Sequence, residues 1–287
     1  MSTVVPIHYL DVFGADILLR PCGITTDETM NIYVAQAPMS KIIKFDQHGK
    51  LLMTFGKGEG GWFKKVGKLR GPTGVAVDPA GNIYVANAFL DCIHKFDAQG
   101  HFVMKFGRRG TGDGEFRRCR SVHLDSKGCL WVVDARNNRI QKFDAEGNLL
   151  FKFGSKGVDN GNIENPSDLA FDQQGCIYVT DSGNHRVQKF DPEGNFLLMF
   201  GKRGTGDGEF LFPRGIALDS EQRVYVVDAM ANRILVFDTV GHFMFSFCSP
   251  KKLGGELNRP YGITINKQGS ILVTDNGNDR IMVFSTS

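Results

Sequence analysis

Arg117-Arg118-Cys119-Arg120 places three arginines in four residues. Each guanidinium presents planar N–H donors that match a phosphate or carboxylate, so the cluster is a candidate anion site. Further cations stand nearby in sequence at Arg108 and Arg109, and later at Lys202, Arg203 and Arg214. Phe89 and Tyr261 could supply flat surfaces for base stacking. Other chemistry is poorly supported. The seven histidines are scattered, with no HxH or HExxH spacing, so no metal site, cofactor or catalytic residue is assigned. His123 lies among small residues of a predicted inner strand and reads as a packed histidine. Gly110–Gly114 and Gly204–Gly208 both spell GTGDG, but no helix follows, which argues against a nucleotide loop.

The elements that carry these residues come from an internal repeat. Pro72, Cys119, Pro166, Pro213 and Pro260 recur at steps of 47 residues, and Phe106-Gly107, Phe153-Gly154 and Phe200-Gly201 keep the same step. A period in the forties with several short strands per unit is the signature of a propeller blade. In the third unit, runs of β-branched and aromatic residues predict strands at Ser121–Leu124, Leu130–Val133, Ile140–Phe143 and Leu149–Phe153. Asp125-Ser-Lys-Gly128 and Asp144-Ala-Glu-Gly147 have the turn chemistry to separate them.

Six units follow: an all-β, six-bladed β-propeller with four antiparallel strands per blade, in one domain over 1–287. The blades lie near 15–56, 72–107, 119–154, 166–201, 213–248, and 260–284 plus 6–14. The last unit ends after its third strand. Ile7–Phe13 followed by Gly14 matches the fourth strand of other units, so the N-terminal strand is expected to close the ring and remove two sheet edges. Asp134/Arg139, Asp181/Arg186, Asp228/Arg233 and Asp275/Arg280 are each five positions apart. They read as repeated structural ion pairs flanking the turn between strands two and three.

The pattern Pro-x-Gly, Asp-x-x-Gly-x-Ile-Tyr-Val-x-Asp, Asn-x-Arg-Ile/Val-x-x-Phe-Asp and Phe-Gly resembles NHL repeats, plainest in Pro213–Asp238 and Pro166–Asp191. The resemblance implies the six-bladed fold. It also implies several jobs: RNA binding and protein docking as in tripartite-motif regulators, or lyase and hydrolase activity in distant relatives. Fold alone does not choose among them.

A net charge of +3 over 287 residues makes the distribution of charge decisive. In an up-and-down blade, the strand 1–2 and 3–4 turns share one face. The strand 2–3 turns and the linkers share the other. The first set is rich in Asp and Glu. The linkers hold Lys57, Lys64, Lys65, Lys68 and Arg70, the arginines from Arg108 to Arg120, then Lys202, Arg203, Arg214, Lys251, Lys252 and Arg259. A disc with one positive face is therefore expected, against the bland alternative of ordinary solvated linkers. The residue after each repeat proline should lie at the channel mouth. This series reads Cys22, Thr73, Arg120, Ser167, Arg214 and Tyr261. Apolar residues join the same face at Pro38-Met39, Trp62-Phe63 and Phe89-Leu90.

The leading expectation is a non-enzymatic binding module. Its basic linker face would hold single-stranded RNA or an acidic protein segment through Arg117, Arg118, Arg120, Arg214, Arg108, Arg109, Lys202 and Arg203, with Tyr261 and Phe89 stacking. The rivals are a protein scaffold, such as the substrate-recognition domain of a ubiquitin ligase, and a lactonase- or lyase-like enzyme using the channel. The six cysteines form no CxxC, and the N-terminus shows no secretory signal or membrane span. These features predict reduced, buried thiols in a cytoplasmic monomer.

Overall fold

The computed structural model describes residues 7–57, 67–247 and 256–286. Trp62, Phe63, Lys64, Lys65, Lys251 and Lys252 lie outside the described residues. Six four-stranded antiparallel sheets form, each in simple sequence order except the last. The third blade consists of Cys119–Leu124, Leu130–Asp134, Arg139–Phe143 and Leu149–Phe153. Its second and third strands register Asp134 opposite Arg139. In the last blade, His8–Phe13 pairs antiparallel with Arg280–Ser285, bringing His8 opposite Ser285. The N-terminal strand therefore closes the ring, as the sequence predicts.

The first strand of each blade lines the axis. Strand alternation decides what happens there: the middle strands bury both faces between blades, while the innermost turns one face to its neighbours around the ring. A β-carbon on Gly23 would stand 2.6 Å from the Thr73 carbonyl oxygen, and one on Gly74 would stand 2.6 Å from the Ser121 Cα. Glycine permits this backbone approach. The residual axial cavity is only about 20 Å3, room for roughly one water.

Between blades, aromatic side chains fill the seams. Tyr33, Tyr84, Trp131, Tyr178 and Tyr225 are buried at one repeat position of the second strands. Each of the first four carries a lysine ammonium over its ring, from Lys44, Lys95, Lys142 and Lys189. Lys44, Lys142 and Lys189 also reach the first aspartate of the strand 1–2 turn, at Asp27, Asp125 and Asp172. The acidic face is thus partly neutralised by third-strand lysines. The contrast between the two faces is weaker than turn composition alone predicts.

In the four Asp/Arg pairs every carboxylate is buried, as are Arg139 and Arg186, while Arg233 and Arg280 are half-buried. Asp134, Asp181, Asp228 and Asp275 are all 0% exposed. Arg139 donates from Nε to Asp134 at 2.8 Å, and its other nitrogens reach the Thr111, Gly112 and Glu115 carbonyls. In this pair the charges and donors are satisfied, which makes burial tolerable. In blade 5, by contrast, Arg233 Nε stands 4.0 Å from Asp228 and has no hydrogen-bond partner among the described residues. Cys22, Cys92 and Cys119 are buried free thiols, whereas Cys129 and Cys176 are only half-buried, because the turn carrying each of them leaves it near solvent. Among the described residues no helix is long and apolar enough to cross a membrane.

Candidate functional site

The seam between blades 2 and 3 opens on the linker face as a cleft of about 590 Å3. Arg70, Arg109, Arg117, Arg118 and Arg136 line it, with Phe89, Ala88 and Asp91. Its backbone is firmly held. The Arg117 N–H donates to Asp134 Oδ1 at 2.7 Å, and the Arg118 N–H donates to Asp91 Oδ1 at 2.5 Å. The Arg136 N–H donates to the Arg117 carbonyl at 3.0 Å. Three guanidiniums therefore project from one tied stretch of main chain.

Arg118 has φ 58°, a left-handed conformation that costs a non-glycine residue roughly 1–2 kcal/mol. The blade keeps this left-handed entry although it lacks the repeat proline and glycine, because the Asp91 side chain anchors it. The same clasp recurs. Arg20, Asn165 and Arg259 also have positive φ, and their N–H groups donate to Asp279, Asn138 and Asn232. The clasp uses only the backbone of the clasped residue, so the arginine side chains at Arg20, Arg118 and Arg259 are free to face outward, while Asn165 also accepts from Arg120.

Among the described residues, none of the five cleft guanidiniums takes part in an ion pair, and none makes a side-chain hydrogen bond. Asp91, the single carboxylate lining the cleft, has one oxygen committed to the Arg118 amide. Like charges gathered in a concave site focus an attractive field for anions. Phe89 stands beside them, 62% exposed. Its N–H bonds the Arg70 carbonyl, and a β-carbon on Gly71 would fall 2.6 Å from its ring. Glycine 71 is needed for the ring to lie there.

The remaining candidates separate into two groups. Arg120 does not reach a ligand position: it is 9% exposed. Its Nη1 donates to the Pro166 carbonyl at 3.2 Å and to Ser167 Oγ at 2.9 Å, and its Nη2 donates to Asn165 Oδ1 at 3.2 Å. Burial lowers its pKa to about 10, and its donors join blades 3 and 4. Tyr261 does not offer an open stacking face either, because the Arg214 guanidinium sits 4.4 Å from its ring centroid and 5.0 Å from that of Phe212. Arg108 and Lys202 are held by Glu115 and Glu209, at 2.9 and 3.3 Å. Those glutamates also accept the Gly112 and Gly206 amides, so GTGDG is a glutamate-capped turn. Arg203 is exposed in the linker between blades 4 and 5, away from the cleft. Of the expected set, Arg109, Arg117, Arg118 and Phe89 come together.

Sequence reasoning missed Arg136 and Asp91. The signal for Arg136 was its place in the strand 2–3 turn, the position that Phe89 holds one blade earlier. His123 is more than a packed side chain: Nε2 lies 2.6 Å from Asp168 Oδ1, linking the inner strands of blades 3 and 4. Among the described residues no group of three or more His, Cys, Asp or Glu side chains could hold a metal ion.

A family model described as 6-bladed beta-propeller matches residues 76–152 and 158–253, and the NHL repeat model matches 257–284. The chain belongs to the 6-bladed beta-propeller family. No curated protein matches this propeller in sequence. Its architecture is similar to that of a streptogramin B lyase, with 18% identity, 99% of each chain covered and a TM-score of 0.67. It is also similar to a gluconolactonase from Xanthomonas campestris, at 16% identity over 93% of this chain and 86% of the other, TM-score 0.66. A propeller in a nidogen/laminin complex matches at 19% identity over 85% and 84%, TM-score 0.64. Likeness at this level establishes the fold alone.

Proposed function

We propose that this propeller is a non-enzymatic binding module whose cleft between blades 2 and 3 holds single-stranded RNA. The observation that carries the reading is the set of five guanidiniums around the cleft, unpaired among the described residues, with an exposed aromatic ring among them. The arginines neutralise consecutive phosphates, and Phe89 stacks on an unpaired base. An acidic protein segment would meet the same cations but would leave Phe89 without a planar partner. For that reason RNA is the preferred ligand. The half-buried and buried free thiols fit a reducing cytoplasm, and that location and a monomeric state belong to the same proposal.

The enzyme reading would place a substrate in the channel, and the axial cavity there is about 20 Å3, room for roughly one water. The test is a fluorescence polarisation titration with labelled oligouridylate at low and moderate salt, with polyglutamate as competitor. Binding that weakens steeply with salt and resists polyglutamate supports the RNA reading. No binding at low salt ends it. Displacement by polyglutamate at equal charge assigns the cleft to an acidic protein instead.

A further inference from the structure

A second groove of about 550 Å3 lies on the other side of the blade 2 tip. Lys68, Leu90, His94, Phe102 and Lys105 line it, and Arg70 lines both this groove and the arginine cleft. Lys68 and Lys105 are exposed, and among the described residues neither ammonium has an ion-pair partner. Among the described residues no carboxylate lines the groove. His94 is buried, and burial, helped by the charge of Lys105, pushes its pKa down to about 4. It is neutral at physiological pH, so the positive charge here comes from the two lysines and Arg70.

The partition between the two grooves is the apolar tip Phe89-Leu90. That tip is fixed by three main-chain bonds: Ala88 N–H to Gly71 O, Phe89 N–H to Arg70 O, and Leu90 N–H to Asn87 O. Phe89 faces the cleft, Leu90 faces the groove, and both are exposed. A cation shared across a rigid apolar ridge, with free cations on each side, suits a polyanion that carries flat apolar groups along its length.

We propose that the bound RNA strand crosses this ridge, with Arg70 at the crossing and Lys68 and Lys105 holding phosphates on the far side. The proposal rests on the reading of the arginine cleft as an RNA site. It makes the recognition element a two-groove track over blade 2 rather than a single pocket.

The test compares a short and a long oligouridylate, of ~4 and ~12 nucleotides, both within the ~4–16 nucleotides that one single-strand site engages. A longer strand gains some affinity from its number of registers alone, so the deciding readout is the variant Lys68→Ala/Lys105→Ala. It is expected to leave short-strand affinity unchanged. For the long strand, it should lower affinity and reduce the salt slope by about 1.4, from roughly 0.7 per phosphate contact. Arg117→Ala/Arg118→Ala should weaken both lengths. If the lysine variant binds both lengths as wild type does, or weakens both alike, the second groove is not part of the track. Failure of the wild type to bind either length removes the RNA reading itself.

Discussion

The Arg118 amide and the Asp91 carboxylate are joined at 2.5 Å across the seam between blades 2 and 3. This contact does two opposed things. It fixes a left-handed backbone that presents cationic side chains, and it places a negative charge at the edge of the cleft. Asp91→Asn separates the two, because the amide oxygen still accepts the hydrogen bond. The variant is expected to fold as wild type and to bind oligouridylate several-fold more tightly at low salt. Asp91→Ala loses the acceptor and should cost about 1–2 kcal/mol of stability. Urea unfolding and polarisation titrations on both variants check the pair.

Phe89→Ala isolates the stacking contribution. The ring is mostly exposed, so melting should change little. Binding should weaken by about 1–3 kcal/mol, the scale of one base–aromatic contact, with the salt slope unaltered. A loss of slope together with affinity would mean that the ring positions the arginines instead of touching a base.

Removing Arg136 should lower the salt slope by about 0.7 and leave folding intact, since only its backbone N–H is used, to the Arg117 carbonyl. The residue also shows where sequence reasoning stops. Repeat spacing placed every strand of blade 3 within about two residues and brought Arg117, Arg118 and Phe89 to one face. It could not say which way each side chain turns. Arg118 and Arg120 stand two positions apart where the linker enters the strand Cys119–Leu124, yet Arg120 folds back onto the Pro166 carbonyl and Ser167 hydroxyl of blade 4 while Arg118 faces solvent. That choice depends on what the neighbouring blade offers, here Asn165 and Ser167, which lie 45 and 47 residues away. Arg136 was missed because its strand 2–3 turn was read for the flanking ion pair alone.

Blades 1 and 3 offer a matched test of buried polarity. Asp134 accepts from Arg117, Asn137, Arg139 and Gln141. Asp134→Ala strands the Arg139 charge and should destabilise by about 3–5 kcal/mol. Gln36 holds the equivalent place in blade 1, is fully buried, and has no partner for either amide atom among the described residues. Replacing it with leucine removes two unsatisfied groups, so Gln36→Leu should be neutral or stabilising. Chemical unfolding of the two variants reads the contrast directly.

His94 gives the fold a defined acid sensitivity. Its pKa falls to about 4 on burial, against about 6.5 for an exposed histidine. A depressed histidine leaves the unfolded chain binding more protons between these values. Stability is therefore complete above about pH 6.5 and falls as pH drops toward 4, by up to about 3 kcal/mol. His94→Leu, packed against Phe96 and Phe102, should flatten that part of the curve. Unfolding free energies at pH 7.5, 6 and 5 provide the comparison.

Deleting residues 1–14 should expose the edge of Arg280–Ser285 and remove the Tyr9–Phe284 and Phe13–Phe45 ring contacts. An unpaired edge invites pairing with another chain, so self-association on size exclusion and a lower melting temperature are expected. A monomer with unchanged melting would show that the ring holds without its last strand.

The clasp that seats Arg118 uses only an amide hydrogen and an outside carboxylate or amide oxygen, and it is repeated at Arg20, Asn165 and Arg259. The scaffold thus has four such sockets on one surface, and in three of them, at Arg20, Arg118 and Arg259, the mounted side chain makes no hydrogen bond among the described residues, whereas Asn165 also accepts from Arg120. Exchanging the arginines seated there would rewrite which molecules the disc greets while the six sheets beneath stay as they are.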